Sequence, residues 1–439
     1  MIFKSVLLIY WIKKRPFLGL FFFTLSTTII FGQKEYVPLI SDIQIVGNIK
    51  THHSILKREI HHRVNIYLDS TIVQEDRNRL DNLGLFSEIT WKVVPIEDGT
   101  AILIFTVIES IYFTSPLAFP TYKEDTGWSI VGLWYINNFR GMNQSFSLGG
   151  SIGGEDTYGL NFTDPWMFGD HVSLSLNVGK TLYTHRFLGE DININNIGIK
   201  VGKWFGKSIK TSIGVDIESK TFSKQEIMAE FFYLAPNATI KYDTRDIFWN
   251  PGKGVLVSQS IFHKEGIYPK DFRMTNLTQS LSWYHALNNK EKKLIVAFNG
   301  ILKNKIGDRD NYWLDYFGNS STIRGWSLPD SNLYFSGKEL FRFGHESIYG
   351  SIELRQEVIP KHATSIGAEL GLLIVLFADV GLISDQWKYL KDQLPIYGFG
   401  TGIRVPFPLI GSIRLDYGWG YRDGKWNTGA IHWAIGQKF

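Results

Sequence analysis

Two groups of side chains in this sequence have the types and spacing of metal ligands. Four histidines form two pairs near the start of the chain: His52, His53, His61 and His62. Their imidazoles could bind zinc, but no cluster of carboxylates with ligand spacing accompanies them. Asp308 and Asp310 could offer carboxylates to calcium, but the glycine and glutamate that a calcium loop requires are missing. We therefore predict a solvated helix face, an ordinary loop and no metal.

The composition points away from catalysis and from nucleic acid. The sequence has no H-E-x-x-H zinc motif and no phosphate-binding loop. It has no cysteine, which excludes disulfides, thiolate metal sites and a lipid-modified cysteine. A net charge of +4 over 439 residues is too small to indicate nucleic-acid binding. The prediction is a protein that is not an enzyme and that uses no cofactor.

The first 32 residues have the pattern of a secretory signal peptide. A basic segment comes first, and its charges are Lys4, Lys13, Lys14 and Arg15. The apolar run FLGLFFFTLSTTII follows, and Gly32 precedes a mature start at Gln33. The run has 14 residues, whereas a membrane-spanning helix needs about 20. We predict a signal peptide over 1–32 and an exported protein; a short membrane anchor is the alternative.

Residues 41–110 read as a compact α/β unit with the order β-α-α-β-β. IQIVGN is a strand that ends in a turn, and SEITWKVVP and TAILIFTVIE are two strands joined by IEDG. Two helical patterns lie between IQIVGN and SEITWKVVP. The first runs from a Thr51 cap to about His62, and the second runs from Ser70 or Thr71 to Gly84. The segments IQIVGN, RLDNLGLFSEITWKVVP and IFTVIE resemble a polypeptide-transport-associated (POTRA) domain in a single copy. The resemblance implies a periplasmic domain with exposed strand edges.

From residue 115 onward, apolar and polar residues alternate with a period of two. HVSLSLNVG, TSIGVDIES and GSIRLDYGWG each place apolar side chains on one face and polar or charged ones on the other. This pattern predicts an all-β transmembrane barrel over 115–439 with about sixteen antiparallel strands of ~10 residues. A soluble β-sandwich or lipocalin-type barrel is the alternative, but it would bury the charged face in a dry core. Tryptophans at strand ends indicate the aromatic girdles of a membrane barrel: Trp128, Trp134, Trp166, Trp204, Trp249, Trp313, Trp419 and Trp433.

The last ten residues, AIHWAIGQKF, read as the final strand of the barrel. Alternation places Trp433, Ile435 and Phe439 on its apolar face together with Ile431. A terminal aromatic residue on such a strand resembles the outer-membrane β-signal. The final strand must pair with the first strand, predicted near 128–136, to close the cylinder.

Arg324 lies in STIRGW, within a segment over 308–346 that lacks alternation. A guanidinium inside a barrel costs several kcal/mol unless a carboxylate meets it. Gly325 permits a tight turn, and Trp326 could wedge against the inner wall. Ile-Arg-Gly-Trp resembles the loop motif of the superfamily that contains the BamA and TamA assembly factors and the two-partner-secretion transporters.

Four further segments match this superfamily in the same order: YDTRDIFWNPGKG, SIELRQEVIP, LFADVGLI and YGFGTGIRVPFPLIGSIRLDYG. The resemblance implies that Glu353 and Asp379 hold Arg324 and so fix the loop inside the barrel. It also marks a block in the first of these segments, made of Asp243, Arg245, Asp246, Pro251 and Gly254.

The resemblance implies an outer-membrane protein assembly factor that inserts or translocates client polypeptides, with its POTRA domain in the periplasm. Its expected partners are unfolded outer-membrane or secreted clients, periplasmic chaperones or accessory lipoproteins, and outer-membrane lipids. Two alternatives remain open. One is a two-partner-secretion-type transporter pore, and the other is a passive porin with a POTRA docking domain.

Overall fold

The computed structural model describes residues 37–439 with ten gaps, and the predicted signal peptide lies outside the described residues. The gaps are 98, 111–115, 125, 186–188, 225–226, 270, 289–291, 330–335, 365–368 and 408–410. Two units follow one another along the chain: a small α/β domain and a large β-barrel.

The α/β domain is a four-stranded sheet with the strand order β2-β1-β4-β3 and two helices. Its elements are β1 (Leu39–Val46), α1 (His53–Glu59), β2 (Ile66–Tyr67), α2 (Ser70–Asn82), β3 (Phe86–Pro95) and β4 (Ala101–Glu109). β1 and β4 are parallel, and the other pairs are antiparallel. The predicted order is confirmed, with the two-residue strand β2 added between the helices.

Alternation along β4 builds the core of this domain. Leu103, Phe105 and Val107 point inward and pack against the buried faces of the helices, which contribute Leu56 and Leu80. Asp69 is the N-cap of α2, and its carboxylate accepts hydrogen bonds from the backbone N–H groups of Thr71 and Ile72. Gly84, which has a positive φ of 68°, follows the C-terminal end of the helix.

The first helix differs from its prediction at both ends. Thr51 is not its cap, because its hydroxyl donates to the Glu109 carboxylate at 2.6 Å, and the residue before α1 is His52. The helix ends at Glu59 rather than near His62. The cause is Asp76, a buried carboxylate of α2 that accepts the backbone N–H groups of His61 and His62, both at 2.9 Å. These two bonds replace further helical turns.

Residues 117–435 form a closed antiparallel barrel. In the described part of the chain, sixteen strands of six or more residues and the two-residue β22 make up its wall, as predicted. They are β5 (Leu117–Lys123), β6 (Gly127–Phe139), β7 (Gln144–Gly153), β8 (Glu155–Asp164), β9 (Val172–His185), β10 (Glu190–Phe205), β11 (Ile209–Lys224), β12 (Ile227–Asp243), β13 (Lys253–Tyr268), β14 (Arg273–Ala286), β15 (Leu294–Gly307), β18 (Glu346–Ala363), β19 (Glu369–Ser384), β20 (Ile396–Phe407), β21 (Gly411–Arg422), β22 (Lys425–Trp426) and β23 (Ala430–Ile435).

The remaining elements lie in connections between barrel strands. β16 (Asp315–Tyr316) and β17 (Phe343–Gly344) pair with each other inside the long loop between β15 and β18. A short helix, α3 (Trp387–Leu390), follows β19. Within the described residues, no helix combines the length and apolarity needed to cross a bilayer.

The two faces of the barrel wall follow the predicted alternation. On β21, Leu415 and Trp419 are 39% and 42% exposed on the outer face, whereas Arg414 and Asp416 are buried in the lumen. One predicted girdle residue is an exception, because Trp313 lies in the long loop and is buried against lumen aromatic rings. The outer surface is therefore apolar and the lumen is charged, as expected for a membrane barrel.

The barrel closes where β23 lies beside β5, and this seam joins two short strands. They have six and seven residues, whereas the other long strands have ten to eighteen. The prediction that the first strand lies near 128–136 is wrong, because that segment belongs to β6. Pro120 in β5 hid the true first strand from sequence analysis. A proline removes one ladder N–H and is tolerated at an edge, which fits a strand at a seam.

The end of the chain also differs from its prediction. β23 ends at Ile435, and Gly436 turns the chain with a φ of 84°. Ile435 faces outward as expected, but Phe439 does not share its face. The Phe439 ring lies 4.9 Å from the Arg355 guanidinium, and its carbonyl oxygen accepts from Arg355 Nη2 at 3.1 Å. The inward turn places the last residues in the lumen.

We expect Asp76→Ala to destabilise the α/β domain by about 2–4 kcal/mol, because it leaves two backbone N–H groups without their acceptor and removes one of the partners of Arg79. The backbone amides of residues 61–62 should therefore exchange faster in the full-length variant than in the wild type. Asp81→Ala is the matched control, since it removes only an i,i+4 pair with Arg77, worth less than about 1 kcal/mol. Equal exchange in both variants would contradict this role of Asp76.

Candidate functional site

Arg324 is fully buried in the barrel lumen and is held by Asp379. Its Nε and Nη2 atoms donate to the two carboxylate oxygens at 2.9 and 2.8 Å, and its backbone N–H donates to the same group at 3.0 Å. This bidentate geometry is the strong form of an arginine–carboxylate pair. The carboxylate therefore fixes both the side chain and the backbone of the loop at this point.

Glu353 is the second predicted partner, and it accepts from Arg324 Nη1 at 2.6 Å. Asp416 of β21 is a third partner at 3.2 Å, which sequence analysis did not identify. Glu353 also pairs with Arg355 at 2.8 Å, and Asp416 pairs with Arg404 at 2.6 Å. Alternation had already placed Asp416 on the inner face. The sequence did not indicate that inward-facing charges on several strands form one network around Arg324.

The inward orientation of Asp379 follows from β19 itself. Phe377 and Asp379 are buried, whereas Leu376 and Val380, which flank them in sequence, are 55% and 42% exposed on the outer face. The Phe377 ring faces the lumen because the Arg324 guanidinium lies 3.7 Å from its centre, a cation–π contact. An apolar residue on the lumen face is thus part of the arginine site.

Glycines in the wall let the loop backbone approach the strands closely. Gly325 has a φ of 84°, as its position beside Arg324 requires. A Cβ atom on Gly398 of β20 would lie 1.8 Å from the Arg324 carbonyl oxygen. A Cβ atom on Gly420 of β21 would lie 2.4 Å from the Trp326 ring. Trp326 packs on this surface, and its Nε1 donates to a wall carbonyl, that of Tyr397, at 2.7 Å.

The same loop connects to both sides of the seam. The Gly325 N–H donates to His432 Nε2 of β23 at 2.8 Å. Because that nitrogen accepts, His432 Nδ1 carries the proton and donates to Glu124, just after β5, at 2.9 Å. The Ser320 N–H donates to the other Glu124 oxygen at 3.1 Å. Lys438, from the inward-turned end, reaches Asp379 at 2.8 Å. The seam strands and the arginine site are therefore one hydrogen-bonded unit.

The start of the long loop has a separate, aromatic anchor. Trp313 packs with Phe272 at 5.9 Å and Tyr233 at 6.0 Å between ring centres. Lys264 Nζ lies 3.8 Å from the centre of the Trp313 ring. The loop is thus attached to opposite parts of the wall, by a cation–π and aromatic cluster near Trp313 and by the ionic network at Arg324.

The predicted block between β12 and β13 lies at a turn facing the α/β domain, away from Arg324. Asp243 binds Arg245 through both carboxylate oxygens, at 2.9 and 3.0 Å. Asp246 accepts the Gly252 N–H at 2.9 Å and so closes the turn that contains Pro251. Gly254 has a φ of 109°, and a Cβ atom there would meet the Thr244 carbonyl oxygen at 2.3 Å.

This turn binds the α/β domain directly. The Asn82 side chain donates to the Asp246 carbonyl oxygen at 3.2 Å and accepts the Phe248 N–H at 2.9 Å. On another side, the Thr51 hydroxyl accepts from Asn138 of β6 at 2.9 Å. The block therefore forms part of the surface that positions the α/β domain at the barrel end.

The residues considered for metal binding or catalysis have other roles. His62 Nε2 accepts the Asp69 N–H at 3.2 Å, and the described residues contain no group of histidines and carboxylates placed to hold a metal. A G-x-S-x-G pattern at 149–153, which sequence analysis passed over, lies along β7. Its Ser151 hydroxyl donates to the Glu155 carbonyl oxygen at 2.7 Å. A nucleophile elbow needs a strand–turn–helix instead.

The chain belongs to the Omp85 superfamily, because the Omp85 superfamily domain matches residues 138–439, more than half of its length. A POTRA domain, described as a surface antigen variable number repeat, matches residues 38–110. The protein is therefore an outer-membrane β-barrel with a periplasmic POTRA domain. Proteins of this superfamily assemble or transport other proteins at membranes.

Particular relatives support this placement. The outer membrane protein assembly factor BamA of Neisseria meningitidis serogroup B is 28% identical over 149 residues, which are 34% of this chain and 18% of that protein. BamA of Haemophilus ducreyi lacking POTRA domains 1–3 superposes with a TM-score of 0.55 at 16% identity, covering 90% of this chain and 83% of that one. CdiB of Acinetobacter baumannii superposes with a TM-score of 0.51 at 14% identity, covering 90% of this chain and 73% of that one. These likenesses show a common fold.

Gly398→Ala tests loop docking without altering a charge. Its new methyl group would overlap the Arg324 carbonyl oxygen, so we expect the loop to shift and hydrogen exchange over 321–326 to accelerate at least tenfold. Gly300→Ala on β15 is the control, because the nearest atom there is 3.5 Å away on the Phe298 side chain. If both variants exchange like the wild type, the close approach at Gly398 does not hold the loop.

Proposed function

We propose that this protein is an outer-membrane assembly factor that inserts client polypeptides into the membrane at its β5–β23 seam. The observation that carries the proposal is the hydrogen-bonded unit formed by Arg324, Asp379, His432 and Glu124, which attaches the long loop to both seam strands. A short seam offers few ladder bonds. A client strand can therefore replace them once the His432–Glu124 hydrogen bond across the seam breaks, while Arg324 holds the loop to the rest of the wall.

The POTRA domain is proposed to receive the client first. Its sheet order leaves β3, a ten-residue strand, at one edge. An edge strand presents unpaired N–H and C=O groups to which an extended polypeptide can add as a further strand. Periplasmic chaperones or accessory lipoproteins that deliver clients are proposed partners on the same basis. No nucleotide is required, because insertion of an apolar client surface into the bilayer is itself favourable.

A secretion pore of the two-partner type is the second candidate, supported by the CdiB fold likeness. In that mechanism the client crosses the lumen, so the loop held by Arg324 must leave it. In the insertion mechanism the loop stays and the seam opens. The two candidates therefore differ in which contact must break.

We expect Arg324→Ala to leave the barrel inserted but to impair client assembly, because the loop loses its ion pairs with Glu353 and Asp379 and with them several kcal/mol of anchoring. Glu353→Ala and Asp379→Ala should act in the same direction. The measurement is the outer-membrane proteome of cells in which each variant replaces the wild type. Loss of many barrels indicates an assembly factor, and loss of one secreted protein indicates a transporter.

The control is Arg273→Ala, which removes an exposed arginine paired with Glu265 at 2.7 Å. It should leave the proteome unchanged, since an exposed ion pair contributes little to stability. A normal outer-membrane proteome in all three variants of the arginine site would contradict the proposed role of the loop.

The seam can be tested by covalent closure. The sequence has no cysteine, so one cysteine in β5 and one in β23 provide a unique disulfide. If clients enter through the seam, the oxidised variant should lose activity and regain it with reductant. Each single-cysteine variant is the control. Full activity of the oxidised pair would favour a rigid pore over insertion at the seam.

A further inference from the structure

The outer wall of the barrel carries a groove across strands β8 to β12. It has a volume of about 520 Å³, and β6 and β7 separate it from the seam strand β5. Its floor includes a row of directly paired apolar residues that face outward, Leu160, Val178, Ile197 and Ile217, and Leu234 of β12 continues this row beyond the groove. This face meets the hydrocarbon of the membrane, where lipid is the surrounding solvent.

The next row of the groove has a different chemistry. Its directly paired members are Tyr158, Lys180, Asn195, Ser219 and Phe232. Two aromatic rings stand at its ends, and an ammonium, an amide and a hydroxyl lie between them. All three central groups can donate hydrogen bonds to an anion. The row therefore combines an aromatic girdle with a cluster of donors.

The position of this row is set by the direction of β9. The turn before β9 contacts the POTRA domain, where Arg58 lies 4.2 Å from the centre of the Trp166 ring. Lys180 comes after Val178 along the strand and so lies farther from the periplasm. The row beyond it is largely polar, with Asp156, Asn193, Thr221 and Glu230 facing outward. Lys180 thus marks the upper boundary of the apolar belt, at the level of outer-leaflet headgroups.

Lys180 has no carboxylate partner among the described residues. The acid nearest in register is Asp156, one row beyond, and it accepts the Gly153 N–H at 3.1 Å. An exposed lysine on the lipid face can place its stem along apolar surface and its ammonium at the headgroup level. The groove below it has the apolar lining that an acyl chain requires.

We propose that this groove binds one phospholipid with a net negative headgroup, whose phosphate is held by Lys180, Asn195 and Ser219. Its acyl chain lies over the row from Leu160 to Ile217. Charge complementarity at the row and the apolar floor beneath it specify the same molecule. This site does not depend on the proposed function, because a passive barrel would bind the lipid equally well.

Binding is measured by native mass spectrometry of the full chain in neutral detergent, with phosphatidylglycerol or phosphatidylcholine titrated in. We expect one phosphatidylglycerol to bind more tightly than phosphatidylcholine. Lys180→Gln should weaken the phosphatidylglycerol complex about fivefold or more, since one lysine near an anionic headgroup contributes about 1 kcal/mol. Ser219→Trp keeps the lysine but fills the groove, so it should weaken binding of both lipids.

Lys253→Gln is the matched control, because it removes an exposed lysine at the opposite, periplasmic end of the wall. It should bind phosphatidylglycerol like the wild type. The proposal is overturned if Lys180→Gln and Ser219→Trp bind as the wild type does, or if Lys253→Gln weakens binding equally. Displacement of the lipid by millimolar inorganic phosphate would also overturn it, because a free phosphate cannot use the apolar floor.

Discussion

A buried guanidinium in the lumen organises the structure of this barrel. Removing Arg324 from water is unfavourable unless carboxylates surround it, and three strands each supply one: Glu353, Asp379 and Asp416. The requirement to satisfy one cation therefore determines where the long loop runs and which strands it contacts. Two further cations, Arg355 of β18 and Arg404 of β20, complete the network and share the carboxylates of Glu353 and Asp416.

The ionic network acts together with shape. Glycines at the contact points allow the loop backbone to lie directly on the wall, which larger residues would prevent. The aromatic anchor at Trp313 holds the other part of the loop, and hydrogen bonds through His432 extend the unit to the seam. The two seam strands, β5 and β23, are the shortest of the sixteen wall strands that have six or more residues. They lie beside the loop that this network holds in the lumen.

The superfamily motifs have different physical roles in this chain. The arginine loop and the strands with Glu353 and Asp379 form the lumen site. The block from Asp243 to Gly254 shapes a turn at the periplasmic end and contacts Asn82 of the POTRA domain. One set of motifs therefore organises the barrel interior, and the other fixes the domain that precedes it.

The sequence by itself determined the α/β unit, the barrel class and the lumen face, whereas the pairing of Arg324 with Glu353 and Asp379 was expected only from the resemblance of ordered motifs to the superfamily. Period-two alternation and local turn residues are short-range signals, so they can be recognised in the sequence without a structure. Only the tertiary structure decided that Asp416 joins the site, that β5 is the first strand and that Phe439 turns inward. These features depend on which strands become neighbours when the cylinder closes. Closure pairs residues about three hundred positions apart, such as Glu124 and His432, and no local pattern encodes that distance.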